Sequence, residues 1–164
     1  MNPLETKVHF AKNFKGADSF YEELRALSYR VFFLSEEGVP LPLREEANKI
    51  LLSKGFSVTS LVLTGGESSK SFTVLEEVIK CMIQNGIGKD ACILCMGGGA
   101  LSDAAGFLSS IYARGTPFAS IPTTFLSMVD ACIGGKTALN VGGRKNAIGT
   151  FYPPFSVLIT RFAL

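Results

Sequence analysis

Apolar residues along the chain follow two periods. Short, nearly unbroken apolar runs at 7–10, 30–35, 58–64, 91–96, 118–121 and 155–160 predict strands. The run at 91–96 is almost wholly apolar, as in a strand covered on both faces. Between these runs the spacing becomes helical. Ser19-Phe20-Tyr21-Glu22 has the form of a capping box and opens a helix to Leu27. Ala47, Ile50 and Leu51 share one face of a helix over 43–54, stopped by Gly55. Phe72, Leu75, Val78, Ile79, Met82 and Ile83 form the inward stripe of the next, ended by Gly86. Leu101, Ala104, Ala105, Leu108 and Ile111 mark a helix over 101–113, and 123–130 reads as a short one. Strands alternating with helices predict an α/β fold: a mainly parallel, Rossmann-like sheet flanked by helices, with right-handed crossovers. After Cys132 the texture changes. Residues 134–140 and 142–146 are rich in Gly and Lys and predict an irregular hairpin.

A length of 164 residues fits one domain over 1–164. Sixteen Lys and Arg against 14 Asp and Glu give a net charge of +2, which makes no electrostatic case for nucleic acid or an anionic membrane. The charged fraction of 18% excludes disorder and suggests surface that covers a partner subunit or domain. The first residues contain no apolar signal segment, and no apolar run is long enough to cross a bilayer. Four cysteines are too few for a disulfide scaffold, so a reducing, cytoplasmic location is expected. With His9 the single histidine, these residues supply no metal constellation.

The candidate chemistry lies in loops. Gly97-Gly98-Gly99 joins an apolar strand to a helix, either as a tight turn or as the seat of a dinucleotide pyrophosphate at the helix N-terminus. Asp103, one turn on, complements the helix dipole or bonds a ribose or nicotinamide group. Glu67 and Lys70 follow another strand, as a solvated charge pair or as nucleotide contacts. Thr123 and Thr124 cap a helix or bond a cofactor. Asp130, Lys136, Lys145 and Asn146 cluster among glycines, where lysines bind carboxylate or phosphate as mobile charges unless the loop is merely solvated. Arg114 closes the helix ending at Ala113, as a dipole partner or a phosphate ligand. Cys92 and Cys95 form a C-x-x-C, but inside an apolar strand they point to opposite faces and read as buried thiols.

Taken together, GGGALSDAAGFLSSIYARG, IPTTFLSMVDACIGGKTALN and GRKNAIGTFYPP, in this order and spacing, resemble the N-terminal domain of the 3-dehydroquinate synthase family over residues 65–164. The resemblance implies an NAD-binding α/β domain that works with a helical domain carrying a divalent metal, zinc or cobalt. It implies the sugar phosphate DAHP as substrate, held between the domains, and a homodimer. Carried over by motif, Gly98, Gly99 and Ala100 meet the pyrophosphate, with Asp103, Thr123 and Thr124 toward the nicotinamide. Glu67 and Lys70 contact the nucleotide, and Thr160 lies near the cofactor. Asp130, Lys136 and Asn146 contact substrate, Lys145 lines the same cleft, and Arg114 reaches the neighbouring subunit's substrate phosphate. The family's Asp-x-Asn at the adenosine ribose is replaced by Ser35-Glu36-Glu37-Gly38, leaving Glu36 to accept the ribose hydroxyls. After Thr160 the register is Arg161-Phe162-Ala163, and an Asp that usually precedes this point is missing. The family's metal ligands, a Glu and two His, have no counterpart beside His9. The chain is therefore expected to be the N-terminal part of a two-domain enzyme, incomplete by itself. A related cyclase with another substrate, and a non-catalytic nucleotide-binding or oligomerisation module, are the alternatives.

Overall fold

A computed structural model describes residues 5–161, so the register expected at Phe162 and Ala163 lies outside the described residues. Six strands are β1 (Lys7–Ala11), β2 (Arg30–Glu36), β3 (Ser57–Leu63), β4 (Ala91–Gly97), β5 (Phe118–Pro122) and β8 (Ser156–Thr160). They form one sheet in the order β1-β8-β5-β4-β2-β3, and every pairing in it is parallel. Two further strands, β6 (Lys136–Val141) and β7 (Arg144–Phe151), pair antiparallel as a separate hairpin. The α/β class and mainly parallel sheet predicted from the alternating pattern are what the chain forms.

Helices α1 (Asp18–Leu27) and α2 (Leu41–Ser53) cover one face of the sheet. There Phe20, Leu24, Ala47 and Leu51 meet Val31, Phe33, Leu94 and Met96. Helices α3 (Phe72–Gln84) and α4 (Gly99–Ile111) cover the other, where Leu75, Val78, Met82, Leu101 and Leu108 meet Phe32, Leu34 and Ile93. All seven residues of β4 are buried. Each large side chain there contributes about 1.5–3 kcal/mol of burial. Cys92 belongs to one core and Cys95 to the other, so the two thiols project to opposite faces. Burial pushes both thiols well above the usual range.

Several local expectations need correction. The Ser19–Glu22 capping box does not form: α1 begins at Asp18 after Ala17, and the Ser19 hydroxyl bonds His9 Nδ1 instead at 3.0 Å. Helix α2 begins two residues earlier than predicted, because Pro42 lies in the first turn, where its missing N–H costs nothing. Phe72, Ile83 and Ile111 are exposed, since the covered arcs of α3 and α4 are narrower than their apolar stripes. The short helix expected over 123–130 contains a π-helical turn over Ser127–Ala131. The helix expected to run to Ala113 ends at Ile111. A turn follows in which Ala113 and Arg114 both take positive φ, +50° and +66°. Arg114 is therefore not the helix-closing residue: the Thr116 N–H donates to Ser109 O at 2.9 Å there.

Candidate functional site

Because all six strands run the same way, their carboxyl ends share one edge. From β2 the chain adds β3 on one side and β4 on the other. That reversal opens a crevice between the loops after β2 and β4, the place where open α/β sheets take ligands.

Glu36 ends β2 and is nearly buried there. Its Oε1 accepts the Gly98 N–H at 2.6 Å and its Oε2 accepts the Gly66 N–H at 3.2 Å. The carboxylate thus joins the loops after β3 and β4. The glycines make room for it: a Cβ on Gly97 would lie 2.7 Å from Oε1, and one on Gly65 would lie 2.5 Å from Oε2. Gly65 also takes φ +88°, which L side chains avoid. Instead of standing free for a ribose, Glu36 is engaged with the glycine turn itself. The turn also opens α4, whose first N–H groups, at Gly99, Ala100 and Leu101, have no intrahelical acceptors. Thr124 packs on this turn, 3.4 Å from a Cβ on Gly98, and its Oγ1 accepts the Ser127 N–H at 3.2 Å. Thr123 donates its N–H to Gly97 O at 2.9 Å.

Beside the turn lies an ionic network built around a buried lysine. The turn at Gly66–Ser69 delivers Lys70, whose side chain is 4% exposed. Lys70 Nζ donates to Asp103 Oδ2 on α4 at 2.6 Å and to Asn146 Oδ1 on β7. Burial raises the Asp103 carboxyl above its ordinary value, although Lys70 works against that shift. Glu67 accepts the Asn140 amide N–H at 2.7 Å, and this bond holds its carboxyl low, aided by Lys70 and Lys145 against some desolvation. Four separate segments therefore meet: the loop after β3, the first turns of α4, and both strands of the hairpin. Lys70 is not the solvated partner of a loose charge pair, and Asp103 faces a lysine.

The remaining candidates are placed less closely. Asp130, in the π-helical turn, lies near enough to Asp103 to raise its carboxyl further. Lys136 begins β6 opposite Phe151, exposed, and Lys145 is exposed on β7. Thr160 ends β8 at the same sheet edge, buried, and its hydroxyl finds no partner among the described residues; Ser69 shares that condition. Arg114 is not brought to this site. It follows the far end of α4, which has 13 residues and spans about 20 Å, and it lines a cavity of about 730 Å³ with Lys7, Pro117 and Phe155. Among the described residues no three His, Cys, Asp or Glu side chains come together as metal ligands, and no helix is long and apolar enough to cross a membrane.

Asn140 is the residue that the sequence reading did not single out. It stands in the motif but is neutral and flanked by ordinary strand residues. The available signal was the hairpin register. Gly142 and Gly143 both take positive φ, as a two-residue hairpin turn requires. Val141 then pairs with Arg144 and Leu139 with Ile148, which leaves Asn140 opposite the bulged stretch 145–147.

Comparison with known proteins agrees with this fold. Residues 60–164 match the family described as 3-dehydroquinate synthase N-terminal. The chain is 35% identical over 151 residues to a 3-dehydroquinate synthase of Rhodopirellula baltica, covering 92% of this chain. It is 39% identical over 135 residues to one of Pelobacter propionicus, covering 82% of this chain. In both cases it spans 38% of the relative's length. A solved 2-deoxy-scyllo-inosose synthase, complexed with carbaglucose-6-phosphate, NAD+ and Co2+, superposes with a TM-score of 0.87 at 26% identity, over 96% of this chain and 42% of that one.

Proposed function

The chain belongs to the 3-dehydroquinate synthase family, and from that premise we propose that it is the nucleotide-binding half, one domain over 1–164, of an enzyme that converts DAHP to 3-dehydroquinate with release of phosphate. The observation that carries the reading is the convergence of Lys70, Asp103, Asn140 and Asn146 beside the glycine turn. It sets the residues assigned to the nucleotide against the hairpin residues assigned to the substrate.

The residues present fit NAD. The first turn of α4 offers unpaired N–H groups at Gly99 and Ala100 to a pyrophosphate, and Gly98, whose own N–H is held by Glu36, lets it approach the turn closely. Two buried hydroxyls, Ser69 and Thr160, stand without partners among the described residues at the same sheet edge. Asp103, Thr123 and Thr124 flank the turn, and Glu67 with Lys70 walls its other side. When bound, NAD supplies a reversible hydride acceptor. Asp130, Lys136, Lys145 and Asn146 bind and orient the substrate's hydroxyl, carboxylate and phosphate groups. Glu36 orders the crevice by joining the loops that form it. A homodimer is part of the proposal: Arg114, a helix length from the glycine turn, serves the neighbouring subunit's substrate phosphate. So is a cytoplasmic location, in keeping with the reduced thiols.

Calorimetric titration of the chain with NAD tests the cofactor assignment. Gly98→Val should abolish binding, because even a Cβ there lies 3.4 Å from both Glu36 and Thr124 and the branched methyls fill the approach to the turn. Unchanged binding in that variant overturns it. A second reading, a related cyclase with another sugar phosphate, is favoured by the close superposition on 2-deoxy-scyllo-inosose synthase. Turnover of a hexose phosphate and not of DAHP by the complete enzyme would select it.

A further inference from the structure

Asn140 makes three bonds to three different places. Its side-chain Nδ2 donates to Glu67 Oε1 at 2.7 Å, and its Oδ1 accepts the Asn146 N–H at 2.8 Å. Its own backbone N–H donates to Lys70 O at 2.8 Å. The register of the hairpin shifts between Leu139 and Val141, at Asn140 itself. Opposite it, Asn146 takes φ +51° within β7, a left-handed conformation that asparagine tolerates better than most L residues. The bond to Asn140 Oδ1 is what holds its N–H, and the resulting backbone aims the Asn146 side chain at Lys70.

We propose that Asn140 is a positioning residue that locks Glu67, Lys70 and Asn146 into one frame, so that the nucleotide side of the site and the substrate hairpin are set together. An amide is the group this requires, because one side chain must donate to a carboxylate and accept from a backbone N–H. The low carboxyl of Glu67, caused chiefly by the Asn140 bond, agrees with the frame. The frame itself stands on the hydrogen bonds of Asn140. Its consequence for ligands rests on the NAD reading above.

The test uses the chain as it is. In Asn140→Ala, amide exchange at Asn146 should speed up by about tenfold or more, and the Glu67 carboxyl, followed by carbon NMR, should titrate closer to its ordinary value. Asn140→Asp paired with Glu67→Gln exchanges donor for acceptor in that bond while keeping an acceptor for Asn146. It should restore slow exchange, whereas Asn140→Asp alone sets two carboxylates together and should not. Unchanged exchange and an unchanged Glu67 titration in Asn140→Ala overturn the proposal, as does a double variant no better than Asn140→Asp alone. NAD titration of the same proteins separates the two readings. An affinity lost in Asn140→Ala supports both. No NAD binding by the unsubstituted chain overturns the cofactor reading, while the exchange and titration results still decide the frame.

Discussion

Replacing Lys70 with methionine keeps most of the side chain's volume and removes its charge. Asp103, 22% exposed, then loses its cation, and Asn146 loses a donor. Removing one partner of a buried pair costs about 3–5 kcal/mol, and the residual exposure of Asp103 places the loss near the lower end. That is a large share of the roughly 5–15 kcal/mol that holds a domain together. The loss should depend on pH with a definite sign. Asp103 is an acid whose folded value already lies above its ordinary 3.8. Its contribution to stability is greatest at low pH and falls as pH rises through the folded value. Without Lys70 that value climbs further, so the variant's deficit should widen between pH 4 and pH 7. Urea unfolding at several pH values measures it, with the slope m checked for constancy. A deficit below about 1 kcal/mol, as for an exposed ion pair, or one independent of pH, would refute the reasoning.

Two other perturbations follow from the packing. A Cβ on Gly106 would lie 2.4 Å from Thr137 Cγ2 and 3.2 Å from Phe118. Gly106→Ala should therefore lower the thermal midpoint despite the better helix propensity of alanine, because overpacking costs about 1–3 kcal/mol; a raised midpoint would show that the hairpin yields. Burial works to raise the Glu23 carboxyl, but bonds from Lys7, His9 and Ser156 outweigh it and hold the group low. Glu23→Gln should cost about 2 kcal/mol near neutral pH. The difference from the unsubstituted chain should shrink as pH falls from 4.5 through the lowered folded value; a difference that persists in acid would count against it.

The fold was largely legible in the sequence because each strand and helix carries its own period. The run at 91–96 announced a doubly covered strand, and the glycine triplet announced the turn that follows it. What failed were features decided by neighbours. Ser19 and Glu22 form a capping box on paper, but His9 comes across from β1 to take the serine, and no local pattern contains that strand. Ile111 reads as inward only if the hairpin and sheet cover the last turn of α4, which they do not. In the candidate site, charged residues in glycine-rich loops drew attention through their type. Asn140 did not, because its importance comes from a strand register. Glu36 was noticed for its position, but its use on two backbone amides depends on how close the glycines let the loops approach.

The edge pairing of β1 with β8 has a kinetic consequence. Lys7 pairs with Ser156 and Ala11 with Thr160, so the first strand is joined to one about 149 residues later in the chain. Strands β2 to β5 can assemble through short crossovers as they emerge during synthesis. The β1 edge has to wait until β8 exists. Closing so long a loop makes this contact a late one, and until then β5 presents an open edge. The Ser156–Glu23 bond, which ties β8 to the first helix beside His9, forms only at that step.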